Sequence, residues 1–140
     1  MINLIKAFVL MCKSHYKQKD KGGKPYIFHP STVSMNVKGY DEKIVALLHD
    51  VFEDTDTKLE DVKFLTNSQR EALKLLTQNP YQTYSDYIKL LKQNPIAKAV
   101  KLSDLKHNSN LKRIKSPTTS DLERQQKYLK YYELLKNESK

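Results

Sequence analysis

The chain has no tryptophan, one cysteine, three glycines and five prolines in 140 residues. Each scarcity excludes something. A lone thiol, Cys12, cannot form an internal disulfide framework or a thiolate zinc site, so it is expected to pack in the core. No stretch approaches the ~20 apolar residues of a membrane-crossing helix. Acidic residues are also few: 16 against 25 basic ones, a formal net charge of +9. A basic surface attracts polyanions. The lysines are spread along the chain, however, as on solvated helix faces, so charge alone selects no partner. At 39% hydrophobic residues the chain can form a packed core and is too apolar for disorder. Its length suits one domain over residues 1–140. The opening "MINLIKAFVLMC" has an early lysine and a short apolar run but no small-residue cleavage site. The expectation is a mature N-terminus and a cytoplasmic protein.

What is present is mostly helical periodicity. Residues 2–18 put Ile2, Ile5, Val9, Cys12 and Tyr16 on one stripe. "KDKGGKPYIFHP" interrupts that pattern as a basic loop, and a helix is expected to open at Pro30 or Ser31. Asp41 suits the N-cap of a helix over 42–54, and Thr57 with Glu60 resembles a capping box. Further helices are expected from Asn67 or Ser68 to Gln78, from Thr83 or Ser85 to Gln93, from Asn94-Pro95 to Lys115, and from Asp121 to Asn137, with "LKNESK" as a frayed tail. This is an all-α bundle of about seven or eight helices.

The chemistry concentrates in "VALLHDVFEDTDTKLEDVKF". On a continuous helix His49 and Glu53 would be i and i+4, as would Asp50 and Asp54, so all four would share a sector. Leu47, Leu48, Val51 and Phe52 would cover much of the rest and set the carboxylates against a core. Carboxylates there need a cation or hydrogen-bond donors. Two other segments offer matching groups. His29 stands in "YIFHP", and Asp104 interrupts an apolar stripe with Val100, Leu111 and Ile114, followed one turn later by Asn108. Two His and two Asp make a mixed N/O site suited to Mn²⁺, Fe²⁺, Zn²⁺ or Mg²⁺, of which the imidazoles disfavour Mg²⁺.

The order His, His-Asp, Asp resembles the HD-domain metal-dependent phosphohydrolases. "GGKPYIFHPSTV", "ALLHDVFEDTDTKLEDV", "AKAVKLSDLKHNSNLKRI" and "ERQQKYLKYYELL" are closer still to the hydrolase domain of RelA/SpoT-type enzymes and their small single-domain relatives. The resemblance implies a single HD-domain bundle. It implies Mn²⁺-dependent removal of the 3′-pyrophosphate of ppGpp or pppGpp, releasing GDP or GTP and pyrophosphate. It makes His29, His49, Asp50 and Asp104 the metal ligands and Glu53 and Asp54 the pair that orients and activates water. Asn108 and Tyr128 would touch the nucleotide, and Lys21 would lie near its base or phosphates. The expected partner is a small nucleotide, with neither membrane nor nucleic acid. With no synthetase domain in the sequence, the expected activity is hydrolysis only.

Two departures stand out. The family has a basic residue, usually arginine, stacking on guanine where this chain has Asp20, between Lys19 and Lys21. That keeps open an adenine substrate such as ppApp, or another nucleotide. The interval from His29 to His49 is a few residues short, implying a trimmed helix or loop. A non-catalytic nucleotide-binding HD module is the alternative from another class. His15 is read as structural, His107 as a surface or packing residue, and Tyr81, Tyr84 and Tyr87, like Tyr131 and Tyr132, as helix packing.

Overall fold

The computed structural model describes residues 1–137, without the side chain of Arg113. The helices are α1 (Ile2–Ser14), α2 (Phe28–Met35), α3 (Tyr40–Leu48), α4 (Val51–Asp54), α5 (Asn67–Leu76), α6 (Tyr84–Leu91), α7 (Pro95–Asn108) and α8 (Thr119–Lys136). Short 3₁₀ turns occupy Leu59–Asp61 and Leu111–Arg113. Among the described residues there is no β-strand beyond one isolated bridge, Lys19 to Pro25. The architecture is all-α, as the periodicity predicts. None of the described helices is long and apolar enough to cross a membrane.

α3 is the central element and packs against α1, α2, α5 and α7. Its sequence explains this. Ile44, Val45, Ala46, Leu47 and Leu48 are five successive buried apolar residues. A helix apolar all round has to be surrounded. α7 lies on α2, α3 and α5 with its opposite side on α8. It starts as the sequence predicts: Asn94 accepts from Ala97 N at 3.0 Å, and Pro95 fills the first turn.

Several boundaries differ from expectation, each for a local reason. α2 opens at Phe28, two residues before Pro30. Gly39, not Asp41, precedes α3; Asp41 instead accepts from Gln69 Nε2 at 2.8 Å. The Thr57–Glu60 capping box does not form, because Thr57 Oγ1 pairs with Ser14 Oγ at 3.1 Å. α5 is capped by Thr66, which closes a capping box with Gln69. α7 stops at Asn108, so Leu111 and Ile114 do not extend its stripe. α8 starts from a Thr118–Asp121 capping box and runs through Leu134 to Lys136, into the expected tail. Residues 138–140 of that tail lie outside the described residues.

The largest difference concerns α1. The residues it buries are Ala7 and Met11, with Leu4 and Leu10 packed against the core. Ile2, Ile5, Val9 and Tyr16 face away, exposed, and Cys12 is half-buried at the edge of the core. The helix carries two apolar sides, and sequence periodicity cannot say which one the fold uses.

Gln69 is a suitable probe of how α5 is tied to α3. It is 1% exposed, accepts from Thr66 N and donates to Asp41. Gln69→Leu should lower stability by about 1–3 kcal/mol, since it strands buried polar partners. Chemical denaturation measures this, and a loss below about 0.5 kcal/mol would mean the link does not matter.

Candidate metal centre and adjoining cleft

The helix that begins with α3 breaks at the His-Asp pair. His49 is the C-cap of α3, and Asp50 (φ −103°, ψ −6°) precedes α4. The four acidic and imidazole groups therefore do not share one continuous helix face as the sequence pattern suggested. The break turns His49 inward, buried, and leaves Asp50 partly open, with 20% of its side chain exposed. Glu53 and Asp54, one turn on, are exposed. α2 supplies His29 from its first turn, and α7 supplies Asp104 from its last two turns.

His29, His49, Asp50 and Asp104 converge, with one candidate ligand atom from each within 4.8 Å of all the others. Asp104 Oδ1 lies 2.8 Å from His29 Nε2 and 3.3 Å from His49 Nε2. Asp50 Oδ2 lies 3.1 Å from His49 Nε2 and 3.8 Å from His29 Nε2. Ligands about 2.1 Å from one ion at right angles would stand about 3 Å apart, so the spacing fits a divalent cation. The imidazole orientation fits too. The His49 Nδ1–H donates to Ala46 O at 2.5 Å, which leaves Nε2 facing the cluster as the nitrogen whose lone pair a cation would take once its proton has left. His29 Nδ1 shares a hydrogen bond with His107 Nδ1 at 2.7 Å, again leaving Nε2 inward.

Four participants escaped the sequence reading. His107, expected as a packing or surface residue, stacks on His29 at 4.9 Å and orients it. The Lys101 ammonium donates to Asp104 Oδ2 at 2.9 Å and lies over the Tyr84 and Tyr87 rings. The Tyr26 hydroxyl donates to Asp50 Oδ2. Arg124, held by Asp121, lines the cleft. The available signal was spacing: Lys101 is three before Asp104, Tyr26 three before His29, and Arg124 one turn before Tyr128. His15 is buried, with Nδ1 bonded to Gln18 Oε1 at 2.8 Å, consistent with a structural role.

The charges are strongly coupled. Burial disfavours ionisation of Asp104, but Lys101 and the two imidazoles outweigh it and hold the carboxyl well below its usual range. Burial likewise opposes the charge on Asp50, yet His49 brings it down to about 2. His49 itself is held well above 6.5, since Asp50 and Asp104 overcome its desolvation. Glu53 and Asp54 move the other way. Partial desolvation, then the Asp50 charge, raises both.

A cleft of about 330 Å³ adjoins the cluster, with His29 and Tyr26 in its wall. Lys21, Asn108 and Tyr128, the expected nucleotide contacts, all line it. Asn108 also donates to Asp104 Oδ1 at 3.0 Å, so it joins the cleft to the cluster. The Asp20 carboxylate is committed to its own loop. Its Oδ1 accepts from Gly22 N at 2.9 Å and Lys24 N at 3.0 Å, around the turn at Gly23 (φ +83°). Lys19, Lys21 and Arg124 line the cleft against Asp20 and Asp121, a small positive excess.

No family model matches the chain. It is 44% identical over 62 residues to a guanosine-3′,5′-bis(diphosphate) 3′-pyrophosphohydrolase of Aquifex aeolicus, a match covering 41% of this chain and 9% of that protein. It is 36% identical over 74 residues to a probable enzyme of the same name from Synechocystis, covering 50% and 10%. The matches thus span about a tenth of the length of these curated relatives. A solved structure described as "A metazoan ortholog of SpoT hydrolyzes ppGpp and plays a role in starvation responses" superposes with a TM-score of 0.73 at 25% identity, covering 96% of this chain and 84% of that one. The chain shares the all-α fold of that structure. His29, His49, Asp50 and Asp104 form a cluster that could hold a divalent metal ion.

These charge couplings set a pH response. With no divalent ion, the stability from protonated His49 is fully present below 6.5 and is lost as pH rises through its higher folded-state value. The contribution of Asp50 is present above 3.8 and is lost as pH falls toward about 2. Metal-stripped protein should therefore melt highest on the acid side of neutrality and lose stability toward about pH 9. Added Mn²⁺ should raise Tm more at about pH 8 than at about pH 6, because the His49 proton must leave before a cation can bind. A metal-free Tm that climbs steadily to about pH 9 would contradict the His49–Asp50 coupling.

Proposed function

We propose that the chain hydrolyses guanosine alarmones, removing the 3′-pyrophosphate of ppGpp or pppGpp to give GDP or GTP and pyrophosphate, with Mn²⁺ as its working ion and residues 1–140 acting as one domain. The observation that carries this reading is the convergence of His29, His49, Asp50 and Asp104, with His29 also in the wall of the adjoining cleft. The names of the Aquifex and Synechocystis relatives support the choice of substrate. The cytoplasm is the compartment expected for such a substrate.

In this reading His29, His49, Asp50 and Asp104 would hold the ion, which would supply positive charge against the phosphoryl oxygens and acidify water. Lys101, from behind, keeps Asp104 ionised and fixed. Glu53 and Asp54 orient the attacking water and take its proton. Partial desolvation and the Asp50 charge raise both pKa values, which makes them stronger bases than ordinary carboxylates. Water adds to phosphorus as the bond to the ribose 3′ oxygen breaks, and that oxygen leaves as a hydroxyl. Lys21, with Lys19 and Arg124, faces the phosphates, and Asn108 and Tyr128 contact the nucleoside.

Anion-exchange separation of products after incubation with Mn²⁺ tests this. Wild type should convert ppGpp to GDP, Asp50→Ala should show no turnover, and Glu53→Gln should lose about 10²–10⁴-fold in kcat. Arg124→Ala should act mainly by raising KM. An inert wild type that binds ppGpp as well as Asp50→Ala does would mean a nucleotide-binding module rather than an enzyme.

One observation favours a second reading, in which the base is adenine. With its carboxylate bonded to the loop backbone, Asp20 leaves no cation at the position where the family stacks one on guanine. A kcat/KM for ppApp tenfold or more above that for ppGpp would decide for adenine.

A further inference from the structure

The outward side of α1 is apolar and continuous. Ile2, Ile5 and Val9 follow a 3-4 spacing, the a and d positions of a heptad; Cys12 continues it half-buried at the edge of the core, and Tyr16 lies in the turn just beyond the end of α1. Ile2 is 67% and Ile5 57% exposed, Val9 and Tyr16 are also exposed, and Phe8 and Met1 widen the stripe. The opposite side of the helix, with Ala7 and Met11, already meets the core. Apart from Cys12, this second apolar side is exposed, and it lies outside both the four-residue cluster and the cleft.

Charge and size together indicate what would cover it. Lys6 and Lys13 both fall at the e position along one edge of the stripe, Lys17 and Lys19 follow, and residues 1–19 contain no Asp or Glu. A second copy of a chain of charge +9 would set lysine against lysine in an antiparallel pairing of this face. The stripe is also only about 20 Å long and one helix, about 10 Å, wide. That falls short of the ~800 Å² per partner of a standard stable interface, and suits one docked helix. An anionic membrane would satisfy the lysines. A helix lying in a bilayer surface, however, carries its cations along both borders of its apolar face, with bulky Trp, Phe or Leu between them. Here the lysines line one border, and β-branched Ile2, Ile5 and Val9 suit knobs-into-holes packing.

The geometry points to this face of α1 as the docking site for an amphipathic helix of a protein partner that presents an a/d apolar seam with Asp or Glu along its edge. The inference is independent of the hydrolase reading.

The probe is a fluorescent synthetic peptide of four heptads, Ile and Leu at a and d, glutamate at e and g. A second peptide with lysine at e and g is the control. Fluorescence anisotropy should show saturable binding of the glutamate peptide by the full chain, at least tenfold tighter than the lysine peptide and weakening as salt rises. Ile5→Glu with Val9→Glu should weaken it at least tenfold. Lys6→Glu with Lys13→Glu should reverse the peptide preference. Because the substituted residues are exposed, both double variants should keep the wild-type Tm within a few degrees. A large fall in Tm for Ile5→Glu/Val9→Glu would assign the face to the fold and overturn the inference. No binding, or equal binding of both peptides, would also overturn it. So would a dimer in sedimentation velocity that Ile5→Glu/Val9→Glu dissociates, or co-sedimentation with phosphatidylserine-containing vesicles that the same variant abolishes.

Discussion

A buried carboxylate organises this molecule. Asp104 is 4% exposed, and an anion so placed is tolerated only when its surroundings are cationic or donate hydrogen bonds. Its two oxygens receive Lys101 from its own helix, Asn108 one turn on, and face His29 from α2 and His49 from the end of α3. That demand fixes the relative placement of α2, α3 and α7, the three helices whose mutual packing builds the centre of the bundle. The four-residue cluster and the core are therefore one problem with one solution.

The break after α3 is the other half of that solution. A helix running straight through His49 and Asp50 would put both on one exposed sector with Glu53 and Asp54. The interruption separates the roles. His49 goes into the core with its Nδ1 proton on Ala46 O, Asp50 stays at the boundary, and Glu53 and Asp54 remain open to solvent. Opposite pKa shifts result from that gradient. The inner carboxylates are kept ionised by cations, and the outer pair is raised by partial desolvation and by the Asp50 charge. Tyr26 closes the boundary by donating to Asp50, and its hydroxyl, raised by burial and by the Asp50 charge, stays protonated there.

Much of this was legible from residue order. The four ligand candidates, the helical class and the starts of α6 and α7 follow from composition, spacing and the caps Thr83 and Asn94. Much of what was not legible has one cause, partners distant in sequence. His107 reads as an ordinary helical histidine until His29, 78 residues away, stacks on it. Asp41 reads as a cap until Gln69 takes it. The outward stripe of α1 has the regular spacing of a core face, while the shorter set of Ala7 and Met11 is the one the core uses. Periodicity identifies apolar sides without ranking them.

The commitment of Asp20 to its own turn bears on how the cleft could change over evolutionary time. Its carboxylate closes the loop through Gly22 and Lys24, and that loop carries Lys19 and Lys21. A single replacement by arginine would supply a cation and at the same moment remove the bonds that aim its neighbours. Ligand preference and loop order are thus written in one codon. A lineage leaving this state has to rebuild the turn first, for instance with another capping side chain, before the position is free to vary.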